Sequence, residues 1–245
     1  MKKFISLSII LGIVILLSGC FKKDEELVMV TEAGFAPYEY YENGEIVGVD
    51  IDIANEIANS LGKKLVVKDV AFDSIINEVK SGKADFGAAG ISYNKERAKE
   101  VDFTINYSKS KQVVVVNENS NINKIDDLNK INDLKIAVQL GSVSDFYAGD
   151  NYPNAKIVRQ KKVLAAIEEL KINKVNCVIL DELPAKEILK TNKGLRILDE
   201  VLFEDNYGMV VKKGNKELLD QMNIVLKRLQ DEGKINSYLI NHTNK

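Results

Sequence analysis

Apolar positions along the chain change their period several times, and each change marks an element. A short β-rich run from Leu27 ends at Thr31. Residues 38–47 carry Asn43-Gly44 at their centre, a dipeptide suited to the positive φ of a hairpin turn. Ile53, Ala54, Ile57, Ala58 and Leu61 then recur at helical spacing, on a helix that Asp50 or Asp52 is expected to cap and Gly62 to close. Residues 64–70 read as a strand, 73–80 as a helix stopped by Gly82, and 85–91 as a buried strand. A second series follows, with strands at 135–140, 156–159 and 175–180. Helices open at Gly141-Ser142-Val143-Ser144 and run over 162–171 and 182–190. A long helix is expected over 215–233, with Leu218, Met222, Val225, Leu226 and Leu229 inward. Alternating strands and helices predict an α/β chain with parallel sheets covered on both faces. Two further extended runs, 112–116 and 207–212, bracket the second series and predict an inserted lobe joined by two crossing strands.

The first twenty residues change the picture, because they do not belong to this fold. Lys2 and Lys3 precede an apolar run over residues 4–17, too short for the ~20 residues a bilayer span needs. It ends in Leu17-Ser18-Gly19-Cys20, which resembles the lipobox of bacterial lipoproteins. That resemblance implies a signal peptide over 1–19, an acylated Cys20, and a protein anchored by lipid to the outer face of the cell membrane. Residues 20–26 are expected to be a tether, whose Lys22 and Lys23 can touch anionic headgroups. No later run is long enough to span. Cys177 is the only other cysteine and sits in a buried strand pattern, so it reads as a core thiol with no disulfide partner.

Composition mainly excludes. A net charge of −2 gives no basic bias toward nucleic acid. The single histidine, His242, lies in what reads as a polar C-terminal tail, leaving no His general base and no His metal cluster. No GxxxxGK[ST] loop is present, so ATP hydrolysis would have to come from a partner. Asp50 and Asp52 form an acidic pair, but no calcium-loop spacing follows and capping is the expected role. No metal or cofactor is expected.

Candidate binding chemistry concentrates at residues 83–104, KADFGAAGISYNKERAKEVDFT. A buried strand there runs into a helix opening around Ser92 to Asn94, with Arg97 in the first turn. The positive end of the helix dipole disfavours a cation at that place. An anion bound between the guanidinium and free backbone N–H groups accounts for it. Asp181 ends the strand at 175–180 and could cap the following helix or serve as a counter-charge. Phe35 and Phe72 could be core or ligand-facing aromatics, and Glu32 could be solvated or buried.

These residues resemble the extracellular amino-acid-binding proteins of ATP-driven importers, in the polar amino acid group. The matching stretches are TEAGFAPYEYYENGEIVGVDIDIANEIA at 31–58, VAFDSIINEVKSGKADFGAAGISYNKERAKEVDFT at 70–104, IAVQLGSVSDFY at 136–147, VNCVILDELPA at 175–185 and YGMVVKKGN at 207–215. The resemblance implies a two-lobed α/β fold of the type II periplasmic-binding-protein-like kind, each lobe a sheet flanked by helices, with two hinge strands. Lobe 1 would comprise 27–109 and 206–245, and lobe 2 residues 110–205. It further implies that Arg97 holds a ligand α-carboxylate beside Gly90, Ser92 and Ser142, that Asp181 and Gly90 hold the α-ammonium, and that Ala89 is also ligand-binding. Phe35 and Phe72 would sandwich the side chain, Glu32 would read its tip, and Gln139 is a further implied ligand-binding residue. Val143 and Tyr93 depart from commoner family residues and touch fine specificity. The implied ligand is an amino acid, expected to be arginine, lysine, ornithine or histidine, with glutamine, cystine or another polar amino acid as the alternative. The implied partners are an ABC permease with its ATPase subunits, and the binding protein itself is expected to be a monomer. A cyclohexadienyl dehydratase-like enzyme on the same fold and a sensor domain are the competing readings.

Overall fold

The computed structural model describes residues 25–243, so the expected signal peptide and acylated Cys20 lie outside the described residues. Strand β1 (Glu26–Thr31) is flanked in parallel by β4 (Lys64–Asp69) and β5 (Phe86–Gly87). Strands β12 (Val210–Lys212) and β6 (Val101–Phe103) complete this sheet antiparallel, in the order β4-β1-β5-β12-β6. A second sheet has the order β11-β7-β10-β8-β9. Its strands are β7 (Ser108–Asn117), β8 (Lys135–Gln139), β9 (Lys156–Gln160), β10 (Cys177–Asp181) and β11 (Leu195–Tyr207). Only β8, β9 and β10 run parallel there. Each sheet is therefore mixed, not wholly parallel as the alternation predicts, because the strands that pass between the two sheets pair antiparallel. The hairpin expected at Asn43-Gly44 is present as β2 (Tyr40–Glu42) and β3 (Glu45–Val47).

Successive residues of a strand face opposite sides, so a sheet covered on both faces needs continuous apolar runs. On β1, Met29 joins the core with Ile53, Ala54 and Ile57 of α1 (Val49–Ser60), and Val30 joins the one with Ile75 and Val79 of α2 (Ile75–Lys80). On β7, Val113 and Val115 belong to one core, Val114 and Val116 to another. Helix α7 (Lys216–Asp231), capped by Asn215, buries Met222, Val225, Leu226 and Leu229, while Leu218 is only partly buried. Truncating one of these four to Ala costs about 2–5 kcal/mol. Strands β7 and β11 pair from Ser108↔Tyr207 to Asn117↔Leu195 and connect the sheets.

Several expectations need correction. Neither Asp50 nor Asp52 caps α1. The N-terminal residue is Gly48 (φ 135), where a Cβ would lie 2.1 Å from Tyr38 O, and the first helical N–H groups donate to the carbonyls of Pro37 and Tyr38. Backbone acceptors brought in by the chain fold thus replace the side-chain cap. Strand 85–91 is cut to Phe86–Gly87, because the chain leaves the ladder after Ala88 and turns left-handed at Gly90 (φ 51). The tether ends earlier than expected, since Glu26 opens β1 and Glu25 O accepts from Lys64 N. The polar tail is a helix, α8 (Lys234–Thr243), whose His242 is tied to Tyr40 Oη and Asp52 Oδ2, each at 2.9 Å. Its polarity hid a single apolar stripe led by Ile235.

Candidate functional site

Arg97 opens α3 (Arg97–Glu100), a single turn. Asn94 sets it up as the sequence predicts, its Oδ1 accepting from the N–H groups of Glu96 (2.8 Å) and Arg97 (3.0 Å). The guanidinium is buried over the Phe72 ring, 5.4 Å from its centroid. Nη1 donates to Ser92 O and Nη2 to Gly141 O, both at 2.7 Å. Gly141 follows β8 in the second sheet, so Arg97 bridges the two halves of the molecule. These neutral carbonyls engage two of five N–H donors, and burial lowers the Arg97 pKa to about 10. A buried guanidinium facing no carboxylate partner at bonding distance is a site for an anion. A cavity of about 190 Å³ lies against it, lined also by Phe72, Ile91, Gly141 and Phe146.

Asp181 closes β10, pairing with Gln112 of β7. It does not cap the helix that follows. Three donors converge on one of its oxygens, Oδ1: the hydroxyls of Ser110 and Tyr207, and Gln112 Nε2 at 2.6 Å. Oδ2 accepts none of these. Burial, then the charge of Asp205, push Asp181 up to about 7. Asp205, on β11 opposite Ser110, accepts the Ser92 hydroxyl on Oδ2 at 2.6 Å, and its buried Oδ1 has no hydrogen-bond partner. Ser92 therefore joins the two ends chemically, its carbonyl serving Arg97 and its hydroxyl Asp205. The result is a compact arrangement of one buried cation, one buried carboxylate and one half-buried carboxylate.

At the other end, Glu32 follows β1 and is buried. Gln139 Nε2 donates to its Oε2 at 3.1 Å and to Lys161 O at 3.3 Å. The Lys162 ammonium stands 3.3 Å from Glu32 Oε1 and 3.6 Å from Asp69 Oδ2. Asp69 also accepts from Ala33 N and the Tyr41 hydroxyl. Burial raises the Glu32 pKa, and Lys162 opposes that rise. Two carboxylates thus share one ammonium. Asp69 ends β4 and Glu32 follows β1 in the first half, while Gln139 ends β8 and Lys162 lies between β9 and the next helix in the second, so this end too bridges the halves.

The residues singled out by sequence do not all play the expected part. Glu32, Gln139, Arg97, Ser92 and Asp181 line the boundary between the sheets. Phe35 is buried against Gly90: a Cβ at Gly90 would lie 3.0 Å from its ring, and the Gly90 N–H donates to Asp50 Oδ2 at 3.0 Å. Phe35 packs on Tyr38, and Phe72 lies under Arg97. Ala89 buries its methyl in the first lobe's core, leaving only its backbone for a site. Ser142 caps α4 (Val143–Asn151), its hydroxyl accepting from Asp145 N at 3.2 Å. Sequence reasoning missed Ser110, Gln112, Asp205, Tyr207, Asp69 and Lys162. The first four lie on β7 and β11; Gln112 and Tyr207 fall in the runs that read as crossing strands, and Ser110 and Asp205 fall outside them. Cys177 is fully buried and its thiol pushed up to about 12, as a core thiol requires.

The sequence profile of the bacterial extracellular solute-binding proteins, family 3, matches residues 27–243. The arginine-binding extracellular protein ArtP of Bacillus subtilis (strain 168) is 27% identical over 96% of this chain and 95% of its own length. The crystal structure of a mutant of ArgBP from T. maritima superposes with a TM-score of 0.86 at 33% identity, covering 91% of this chain and 97% of that one. AbpA, an amino acid ABC transporter substrate-binding protein from Streptococcus pneumoniae solved bound to L-arginine, gives 0.85 at 31% identity, over 91% and 96%. These relatives are binding proteins and not enzymes; other relatives are named for histidine, glutamine and cystine. The two-sheet α/β architecture is the one these solved structures share. The chain belongs to the family 3 bacterial extracellular solute-binding proteins.

Proposed function

We propose that this protein captures an extracellular amino acid and delivers it to an ABC importer, whose permease and ATPase subunits carry out transport. The observation that carries this reading is the pairing of a buried Arg97 lacking a carboxylate partner with an Asp181 saturated on one oxygen only. A free amino acid is a zwitterion, and burying it requires a partner for each charge. Arg97 takes the α-carboxylate, Asp181 Oδ2 takes the α-ammonium, and Asp205 adds a second negative charge beside it. The side chain then points toward Glu32. Two carboxylates against one ammonium leave a surplus negative charge there, which favours arginine, lysine or ornithine. The names of the relatives above support an amino acid and, for several, arginine. Glutamine or another polar amino acid is the second reading, since an amide can also donate to Glu32.

Closure would bring a lobe of residues 26–109 and 206–243 against one of 110–205, hinged where β7 and β11 cross between the sheets. Anchoring through an acylated Cys20 is part of the proposal and rests on Leu17-Ser18-Gly19-Cys20; two acyl chains suffice for stable attachment. Cys20→Ala should release the protein or leave the uncleaved precursor. A calorimetric screen over the common amino acids tests the central reading. Arginine, lysine or ornithine should bind most tightly, with glutamate and aspartate rejected. Tightest binding of an acidic or purely aliphatic amino acid would remove the role given to Glu32, and binding of no amino acid would remove the function.

A further inference from the structure

At the distal end, Lys162 presents to Glu32 and Asp69 a charge of the same chemistry as the proposed ligand's side chain. Its ammonium comes from the residue just before α5 (Val163–Lys171), in the second half of the molecule, and reaches Glu32 and Asp69 in the first. Both carboxylates belong to the C-terminal edge of parallel strands, β1 and β4, where ligands of open α/β sheets sit. Glu32 is almost wholly buried, whereas the Lys162 side chain is 50% exposed. The acceptor is therefore fixed and the donor is tethered on a flexible four-carbon stem. Gln139 holds the other Glu32 oxygen and is itself anchored to Lys161 O, so the backbone next to Lys162 is tied to the group Lys162 pairs with.

We propose that Lys162 is a specificity-determining residue, a tethered competitor that occupies the distal-cation place on Glu32 and Asp69. This rests on the amino-acid reading of the site given above. A ligand ammonium or guanidinium must displace Lys162 or share the two carboxylates with it, so its presence weakens selection for cationic over neutral ligands. A neutral amide meets a Glu32 already paired and pays no such competition. In the ligand-free protein the same contact helps hold the halves together. The family's discrimination between a charged and an amide side chain would then be set here partly by a residue that does not touch the ligand's backbone groups.

The test is titration of the full chain and its Lys162→Met variant with arginine and with glutamine, by calorimetry. Lys162→Gln serves as a second variant with a shorter stem and an uncharged polar tip, and circular dichroism checks that both fold. The ratio of the glutamine Kd to the arginine Kd should rise by up to about fivefold in both variants, the scale of a partly exposed charge pair. An unchanged or smaller ratio in variants that fold and bind would overturn the proposal while leaving the amino-acid reading intact. If the wild-type protein binds neither ligand, the amino-acid reading fails and the role of Lys162 falls with it.

Discussion

The two ends of the boundary between the sheets are built on different principles. At the Arg97–Asp181 end both of these charged groups are buried and fixed by backbone or by residues of the connecting strands: Ser92 O, Gly141 O, Ser110, Gln112 and Tyr207. At the Glu32 end a buried carboxylate faces a half-exposed lysine and a partly exposed aspartate. The first arrangement can recognise what all amino acids share, because a rigid, desolvated site loses heavily when either charge is missing. The second can be retuned by exchanging one exposed cation, which suits the part of a ligand that varies. On the proposed reading, general affinity and particular specificity are separated in space.

Removing either fixed charge should have the largest effect. Arg97→Ala and Asp181→Ala each leave one end of a buried zwitterion unpaired, about 2–5 kcal/mol, or about 30-fold to several thousand-fold in affinity for every amino acid ligand. Calorimetry near wild type for either variant would end the assignment of that residue. Glu32→Gln should act selectively, weakening a cationic ligand by about 1.5–3 kcal/mol and a neutral one far less. Equal losses for arginine and glutamine would erase the proposed division between the two ends.

Titration should sharpen the same contrast. Burial raises Asp181 to about 7 in the ligand-free protein, and a protonated carboxyl cannot serve as counter-charge. Affinity should therefore rise from pH 5 toward pH 7, by up to about tenfold per pH unit, then level off. Asp181→Asn should flatten the profile; a wild-type affinity independent of pH over that window would speak against a protonated Asp181. The sign for folding is opposite. A carboxyl raised above its unfolded value stabilises fully below the unfolded pKa, and that contribution is lost as pH rises through the folded pKa. The ligand-free protein should accordingly lose stability between about pH 4 and pH 8, and ligand should offset the loss by mass action.

A smaller effect is expected away from the site, where Glu39 is fully buried with neither carboxylate oxygen bonded, beside Asp50. Burial first, then the Asp50 charge, hold its pKa well above the usual range. Glu39→Gln removes the need to keep it protonated and should raise stability at pH 8 by about 1 kcal/mol, or ~2–4 °C in Tm for a chain of this size. A fall in Tm from pH 5 to pH 8 as large in the variant as in wild type would show that Glu39 contributes nothing to that loss, the part due to Asp181 remaining in both.

Much of this molecule could be read from the chain because its signals are local. Asn94 and Ser142 cap turns, Asn43-Gly44 makes a hairpin, and β-branched runs at 112–116 and 175–180 form buried strands. Arg97 was legible because a cation in a first helical turn is locally disfavoured. What escaped was set by contacts between distant segments. Gly48 approaches Tyr38 O so closely that backbone carbonyls cap α1 and release Asp50 toward Gly90. Asp205 and Ser110 become site residues only because β11 and β7 pair in one register. Lys162 looks like an ordinary helix-opening lysine until β9 places it opposite Glu32.

The most direct test of the central claim uses ligands altered at one end only. Free arginine, its N-acetyl derivative and its C-terminal amide should be titrated into the wild-type protein under one set of conditions. Free arginine should bind, and each blocked form should bind at least about 30-fold more weakly, because acetylation removes the charge facing Asp181 and amidation the charge facing Arg97. Equal affinity for all three would contradict zwitterion capture between Arg97 and Asp181.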